Sequence, residues 1–176
     1  MFRKYKGELG LGLTAFIWGS GFIGVSISLS GGLTPLQILT IRFFIGAILL
    51  GVIFFKEIKN NITKESVIAG SMIGVFLFIA FVFQTIGISY TTASKNAFLT
   101  AINVVIVPFI GFILYKRPLD KYGITSSIIA ILGIGILSLD VDFTINFGDF
   151  LTIICAFGFA FHIFFTGEFV KKHNPI

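Results

Sequence analysis

The sequence predicts an all-α integral membrane protein, a transmembrane bundle of six helices, and three observations lead there. The 176 residues are 56% hydrophobic and only 12% charged, with 23 Phe, whereas a soluble domain is about 45–50% apolar and about 25% charged. Six apolar segments are each long enough for a hydrocarbon core, which takes about 20 helical residues to cross. The basic residues gather in alternate connections between those segments, the arrangement expected when cations stay in the cytoplasm. Such a composition excludes a soluble globular domain, because too few charges are present to cover its surface. The single Cys excludes an internal disulfide and any multi-cysteine zinc site. The net charge of +5 is spread in small groups rather than along one face, which argues against nucleic acid as a partner.

The first span, 9–30, follows Arg3, Lys4 and Lys6. Its 22 residues exceed the core of a signal peptide, about 7–15 residues, and no convincing cleavage site follows. The second span, 36–55, contains Arg42, and Lys56, Lys59 and Lys64 follow it. The third, 67–89, carries Gln84. Thr91, Thr92 and Ser94 then offer caps for a fourth helix, with Lys95 at its entrance. That helix, 96–115, contains Pro108, which is expected to kink it one turn beyond Asn103. Lys116, Arg117 and Lys121 precede the fifth and shortest span, 122–139, which has 18 uncharged residues. The next connection carries Asp140, Asp142 and Asp149 with no Lys or Arg, and the sixth span, 150–170, is followed by Lys171 and Lys172. The runs are continuous rather than alternating, so helices satisfy the backbone and barrel strands do not fit. Eleven of the 13 cations fall on one side, Lys95 alone on the other, and Arg42 inside a span. Both chain ends are therefore expected in the cytoplasm, with the protein in the plasma membrane.

Small residues recur at helical spacing: Ser20, Gly24 and Ser28; Gly70 and Gly74; Ala97 and Ala101; Ala156 and Ala160. Such faces let backbones approach where no hydrophobic drive exists. The chain also matches itself weakly at an offset of 141. Gly7-Glu8-Leu9 aligns with Gly148-Asp149-Phe150, Ala15-Phe16 with Ala156-Phe157, and Trp18 with Phe159. The sixth helix then opens a second copy of a five-helix unit. Five being odd, the second copy is inverted, the arrangement from which many secondary transporters build a midplane site. Chance similarity between two apolar helices is the alternative.

Polar groups inside a membrane are costly and are read first as functional. Arg42 either faces a water-filled cavity, attracting an anionic group, or snorkels outward and bonds neighbouring carbonyls. Asn96, Thr100 and Asn103 share one helix face. That stripe suits a substrate path, against the plainer reading of interhelical hydrogen bonding. Gln84, Trp18 and His162 are secondary candidates. Trp18 lines the cavity or packs; His162 supports proton coupling or is a hydrogen-bonded packing residue. Glu168 is expected to be solvated near the cytoplasmic end, and Cys155 acts as a small apolar residue.

Other motifs fail on context. Gly19-Ser20-Gly21-Phe22-Ile23-Gly24 spells a dinucleotide fingerprint, but it lies within a span. No Walker sequence exists, and His162 and His173 form no metal motif. The Asn61-Ile62-Thr63 glycosylation triplet falls on the cytoplasmic side. No cofactor is expected and no enzymatic constellation is found.

The stretch GISYTTASKNAFLTAINVVIVPF (87–109), with Trp18-Gly19-Ser20 in the first helix and Pro35 followed by Arg42 in the second, resembles the EamA-type drug/metabolite transporter superfamily. Gly133-Ile134-Gly135-Ile136-Leu137 and Gly148-Asp149 fit it as well. The resemblance implies a ten-helix protein of two five-helix repeats that moves small metabolites. Residues 1–140 would be the first repeat and 141–176 the start of the second, with four further helices expected beyond Ile176. Many members carry an acid just after the fourth helix, where this chain reads Tyr115-Lys116-Arg117-Pro118, so an ion-pairing role there is not carried over.

The expectation is a secondary transporter, or the N-terminal portion of one, working by alternating access. Trp18, Arg42, Gln84, Lys95, Asn96, Thr100, Asn103 and His162 are the candidate path residues. The expected partners are a small-molecule substrate, membrane lipid, and either a second copy or a second half. The alternative is a non-transporting membrane scaffold whose small-residue faces bind partner helices.

Overall fold

The computed structural model describes residues 6–119, 121–138 and 145–171. Arg3, Lys4, Leu139, Asp140, Asp142, Lys172 and His173, all used in the sequence reading, lie outside these. Every regular element among the described residues is a helix: α1 (Lys6–Ser30), α2 (Pro35–Ile53), α3 (Phe55–Asn61), α4 (Lys64–Ile88), α5 (Ala93–Thr100), α6 (Asn103–Tyr115), α7 (Lys121–Ser138) and α8 (Phe147–Val170). Five segments among the described residues are long and apolar enough to cross a membrane: α1 from Gly7, α2, α4, α5 with α6, and α8. α7, described over 18 residues at the position of the fifth predicted span, is not among the five.

Local chemistry sets the helix ends. α1 closes in a Schellman turn, with the Leu33 N–H on the Ser28 carbonyl, the Gly32 N–H on that of Leu29, and Gly32 left-handed at φ 92°. Thr34 then opens α2 with a capping box to Gln37 and Pro35 in the first turn. Thr63 and Ser66 form the same box for α4, and Thr92 caps α5. α8 starts at Phe147, three residues before the predicted boundary. Asn146 and Asp149 form a reciprocal capping box, so polar residues that read as loop are the helix's first turn.

The second connection also differs from expectation, since it contains the short helix α3, wholly unburied. The fourth span is interrupted at Ala101–Ile102, before Pro108 rather than at it. There the backbone tightens to i→i−3 bonds: Ile102 to Leu99, Val104 to Ala101 and Val105 to Ile102. Pro108 lacks the N–H that would bond the Val104 carbonyl and its ring crowds that carbonyl, so the strained turn sits next to the break.

α8 is the most buried span and packs chiefly on α4, α5 and α6. Against α4 it runs antiparallel, with Gly148 beside Gly87, Gly158 beside Ala80, and His162 beside Ile73. A Cβ on Gly148 would fall 2.6 Å from the Gly87 carbonyl oxygen, and one on Gly158 only 3.0 Å from the Ala80 Cβ. Only glycine allows these approaches, which fits packing in lipid, where close backbone contact replaces hydrophobic drive. Around the second contact Ala80, Cys155 and Phe159 form a core cluster, and Ile110, Ala160 and Phe164 join α8 to α6.

Candidate functional site

α5 is one short helix that turns Lys95, Asn96, Leu99 and Thr100 into the protein, and Asn103, at the head of α6, is buried on the same side. The predicted polar stripe therefore exists as one face, and it meets α4 and α8. Asn96 is fully buried; its Nδ2 donates to the Gln84 carbonyl at 3.2 Å and to Thr152 Oγ1 at 2.6 Å. Thr152 Oγ1 in turn donates to the Gly148 carbonyl at 2.7 Å. Gln84 Nε2 donates to Thr100 Oγ1 at 3.3 Å, and Thr100 lies 3.8 Å from Cys155 Sγ. Asn96 Oδ1 is buried without a hydrogen-bond partner. Leaving such an acceptor unmade costs about 1–3 kcal/mol, so the cluster carries one unused acceptor.

Beside this cluster, Trp18, Arg42, Gln84 and Thr100 converge from α1, α2, α4 and α5 on a cavity of about 30 Å³, with Phe81 and Phe159 completing it. That is roughly the volume share of one water in the liquid. Arg42 is the eighth residue of the 19-residue α2. Its guanidinium carbon sits 4.0 Å from the Phe81 ring centroid, a cation–π contact, and the side chain otherwise remains exposed. Trp18 is 50% exposed and rests on Phe159 at 6.1 Å between ring centroids, so it both lines the cavity and packs.

Lys95 and His162 lie elsewhere. Lys95 Nζ pairs with Asp149 Oδ2 at 2.8 Å, the two side chains being 9% and 2% exposed. Thr91 Oγ1 donates to Asp149 Oδ1 at 2.8 Å and the Asn146 N–H to Oδ2 at 2.9 Å, so three donors hold this carboxylate. His162 Nδ1 is 3.1 Å from the Ile73 carbonyl oxygen, which requires the proton on Nδ1. At the other end of α8, Glu168 is not simply solvated. Both of its oxygens accept from Arg117, at 2.7 and 2.6 Å, and Lys171 adds a third bond at 3.0 Å. The carboxylate holds the Arg117 guanidinium above its usual pKa. The segment after the fourth helix thus does carry an ion pair, with the base on that segment and the acid on α8.

Asp149 enters the sequence reading as a loop charge and in the Gly148-Asp149 pair, and Thr152 not at all; neither is among the candidate path residues. The Asn146-x-x-Asp149 spacing is a legible capping signal, but the partners Lys95, Thr91 and Asn96 are brought to them only by the docking of α8 on α5.

The family model described as EamA-like transporter family matches residues 5–139. An uncharacterized transporter of Archaeoglobus fulgidus is 34% identical over 173 residues, which is 98% of this chain and 53% of that protein. An uncharacterized transporter of Clostridium kluyveri is 31% identical over 141 residues, covering 75% of this chain and 44% of the relative. The chain spans about half the length of the curated relatives it matches. No solved structure matches it significantly.

Proposed function

The chain belongs to the EamA-like transporter family and is a multi-pass membrane protein, and from that premise we propose that it moves a small polar metabolite by alternating access. Its setting is the plasma membrane, crossed six times with α7 as the fifth span and both chain ends in the cytoplasm. Residues 1–140 act as a five-helix repeat and α8 opens an inverted second one. In support, Gly7-Glu8-Leu9 lies in α1 and its match Gly148-Asp149-Phe150 in α8, at the repeat's offset of 141.

One observation carries the reading: Trp18, Arg42, Gln84 and Thr100 reach a common cavity from four helices. An Arg facing lipid at the bilayer centre costs about 2.5–3.5 kcal/mol on insertion scales. The exposed side of Arg42 therefore belongs to water or to further protein. A second repeat, or a second copy, supplies that wall and enlarges the cavity to substrate size, since such sites lie at the repeat interface. α8 is tied at its head to the fourth span by Lys95–Asp149 and near its other end to the segment after that span by Arg117–Glu168. Alternating access opens one end at a time, so one tie releases while the other holds.

The scaffold reading draws on a different observation, that Asn96, Thr100 and Asn103 are buried among helices beside a cavity of only about 30 Å³. Cysteine accessibility separates the two. In a Cys155→Ala background, Arg42→Cys and Thr100→Cys are exposed to a membrane-impermeant maleimide in vesicles of each orientation, with Ile48→Cys as the apolar-face control. Transport predicts labelling of both positions and none of Ile48→Cys. Absence of labelling from either side removes the path and leaves the scaffold.

A further inference from the structure

A second, larger cavity shares no lining residue with the one beside Arg42. α6, α7 and α8 enclose a half-open cleft of about 500 Å³, within the roughly 300–1,000 Å³ of small-molecule sites. Its walls are apolar, with Pro108 and Phe109 from α6, Ile124 from α7, and Ile163 and Phe164 from α8. Ser127 of α7 is the buried polar residue on the wall, and Arg117 and Glu168 stand at the mouth.

That mouth is basic. Lys116 forms the left-handed C-cap of α6 at φ 52°, Lys121 lies on α7, and Arg117 and Lys171 both bond Glu168. Among the described residues Glu168 is the acid lining the cleft, and its oxygens are already engaged by Arg117 and Lys171. Among the described residues four cations, Lys116, Arg117, Lys121 and Lys171, thus stand against one acid, Glu168, at this end. An apolar cleft that opens beneath a cluster of cations at the end of spanning helices suits an amphiphile with an anionic head. Basic pockets between helices on the cytoplasmic side take acidic lipid headgroups in this way.

We propose that this cleft binds an anionic phospholipid, with an acyl chain against the walls of α6, α7 and α8 and the phosphate among Lys116, Arg117, Lys121 and Lys171. A free inorganic anion would leave the apolar walls unused, and a zwitterionic lipid would leave the net positive mouth uncompensated. The proposal concerns a site apart from the substrate path and stands independently of transport.

The test uses the full chain purified in neutral detergent, with the thermal unfolding midpoint as readout. The probes are dioleoylphosphatidylglycerol, dioleoylphosphatidylcholine and glycerol 3-phosphate. Phosphatidylglycerol is expected to raise the midpoint at least twice as far as phosphatidylcholine, and glycerol 3-phosphate to leave it unchanged. The double variant Lys116→Gln/Lys121→Gln erases the difference between the two lipids. Gly123→Leu and Gly167→Leu fill the cleft from α7 and α8; a Cβ at either position meets nothing within 4 Å, so the lipid-free midpoint is retained while the lipid effect shrinks. If one of these fails to fold, the other, on a different helix, carries the test. Equal stabilisation by both lipids, reproduction of the effect by glycerol 3-phosphate, or a phosphatidylglycerol preference that survives the charge and filling variants would each overturn the proposal.

Discussion

Replacing Asp149 by Asn removes the carboxylate 2.8 Å from Lys95 Nζ, in a position where the two side chains are 9% and 2% exposed. Breaking a buried pair by removing one partner costs about 3–5 kcal/mol, because the remaining buried charge loses a counter-ion at contact distance. Here the pair sits at the heads of α5 and α8, within reach of water after a small movement. The low end, about 3 kcal/mol, is therefore expected for Asp149→Asn, and a similar loss for Lys95→Met. Removing both charges takes away the pair as a whole, so the double variant recovers most of one single loss, and the coupling energy is about 2 kcal/mol or more, within the range for residues in direct contact. The assay is reversible unfolding of the purified chain in mixed detergent micelles by increasing the fraction of dodecyl sulfate, read by circular dichroism for the wild type, both singles and the double. Strictly additive losses would refute the reasoning, since they would show that the two charges do not feel each other. So would singles indistinguishable from wild type, which would place both groups in water.

Two further substitutions follow from the same packing. Gly148→Ala forces a methyl against the Gly87 carbonyl and Tyr90, with contacts of 2.6 and 2.9 Å before any shift; overpacking costs about 1–3 kcal/mol, whereas Gly74→Ala, which meets nothing within 4 Å, leaves the same unfolding curve in place. Thr152→Val removes the oxygen that Asn96 Nδ2 reaches at 2.6 Å; with Asn96 Oδ1 already unpartnered, about 1–3 kcal/mol is expected, and Thr152→Ser should restore it in the same assay.

The sequence alone settled the solvent of this protein and its local order. Apolar length, continuous runs and sparse charge place the helices in lipid, because an unpaired backbone is intolerable there. Of the capping residues, Thr92 is among the caps read from the sequence; Thr34, Thr63 and Asn146 are not, although each cap is satisfied within three residues of itself. The stripe Asn96–Thr100–Asn103 is equally local, one helix face read from spacing, and it survives the break at Ala101–Ile102 with all three side chains buried. The position of that break was not legible, because Pro108 marks where a bond is lost while neighbouring turns share the distortion.

Only the tertiary structure decided what these groups meet. Whether Lys95 would face substrate or a carboxylate depends on Asp149, 54 positions away and delivered by the docking of α8 on α5. That docking depends on Gly87 and Gly148 bringing two backbones into contact. Arg42 reaching Phe81 and the cavity, and His162 turning instead to the Ile73 carbonyl, follow from helix rotation and depth. Both histidine and arginine are polar residues on apolar helices, alike in sequence. Periodicity assigns a side chain to a face, but in lipid the choice of which faces meet rests on a few ångströms of close packing between distant segments, and no one-dimensional pattern encodes it.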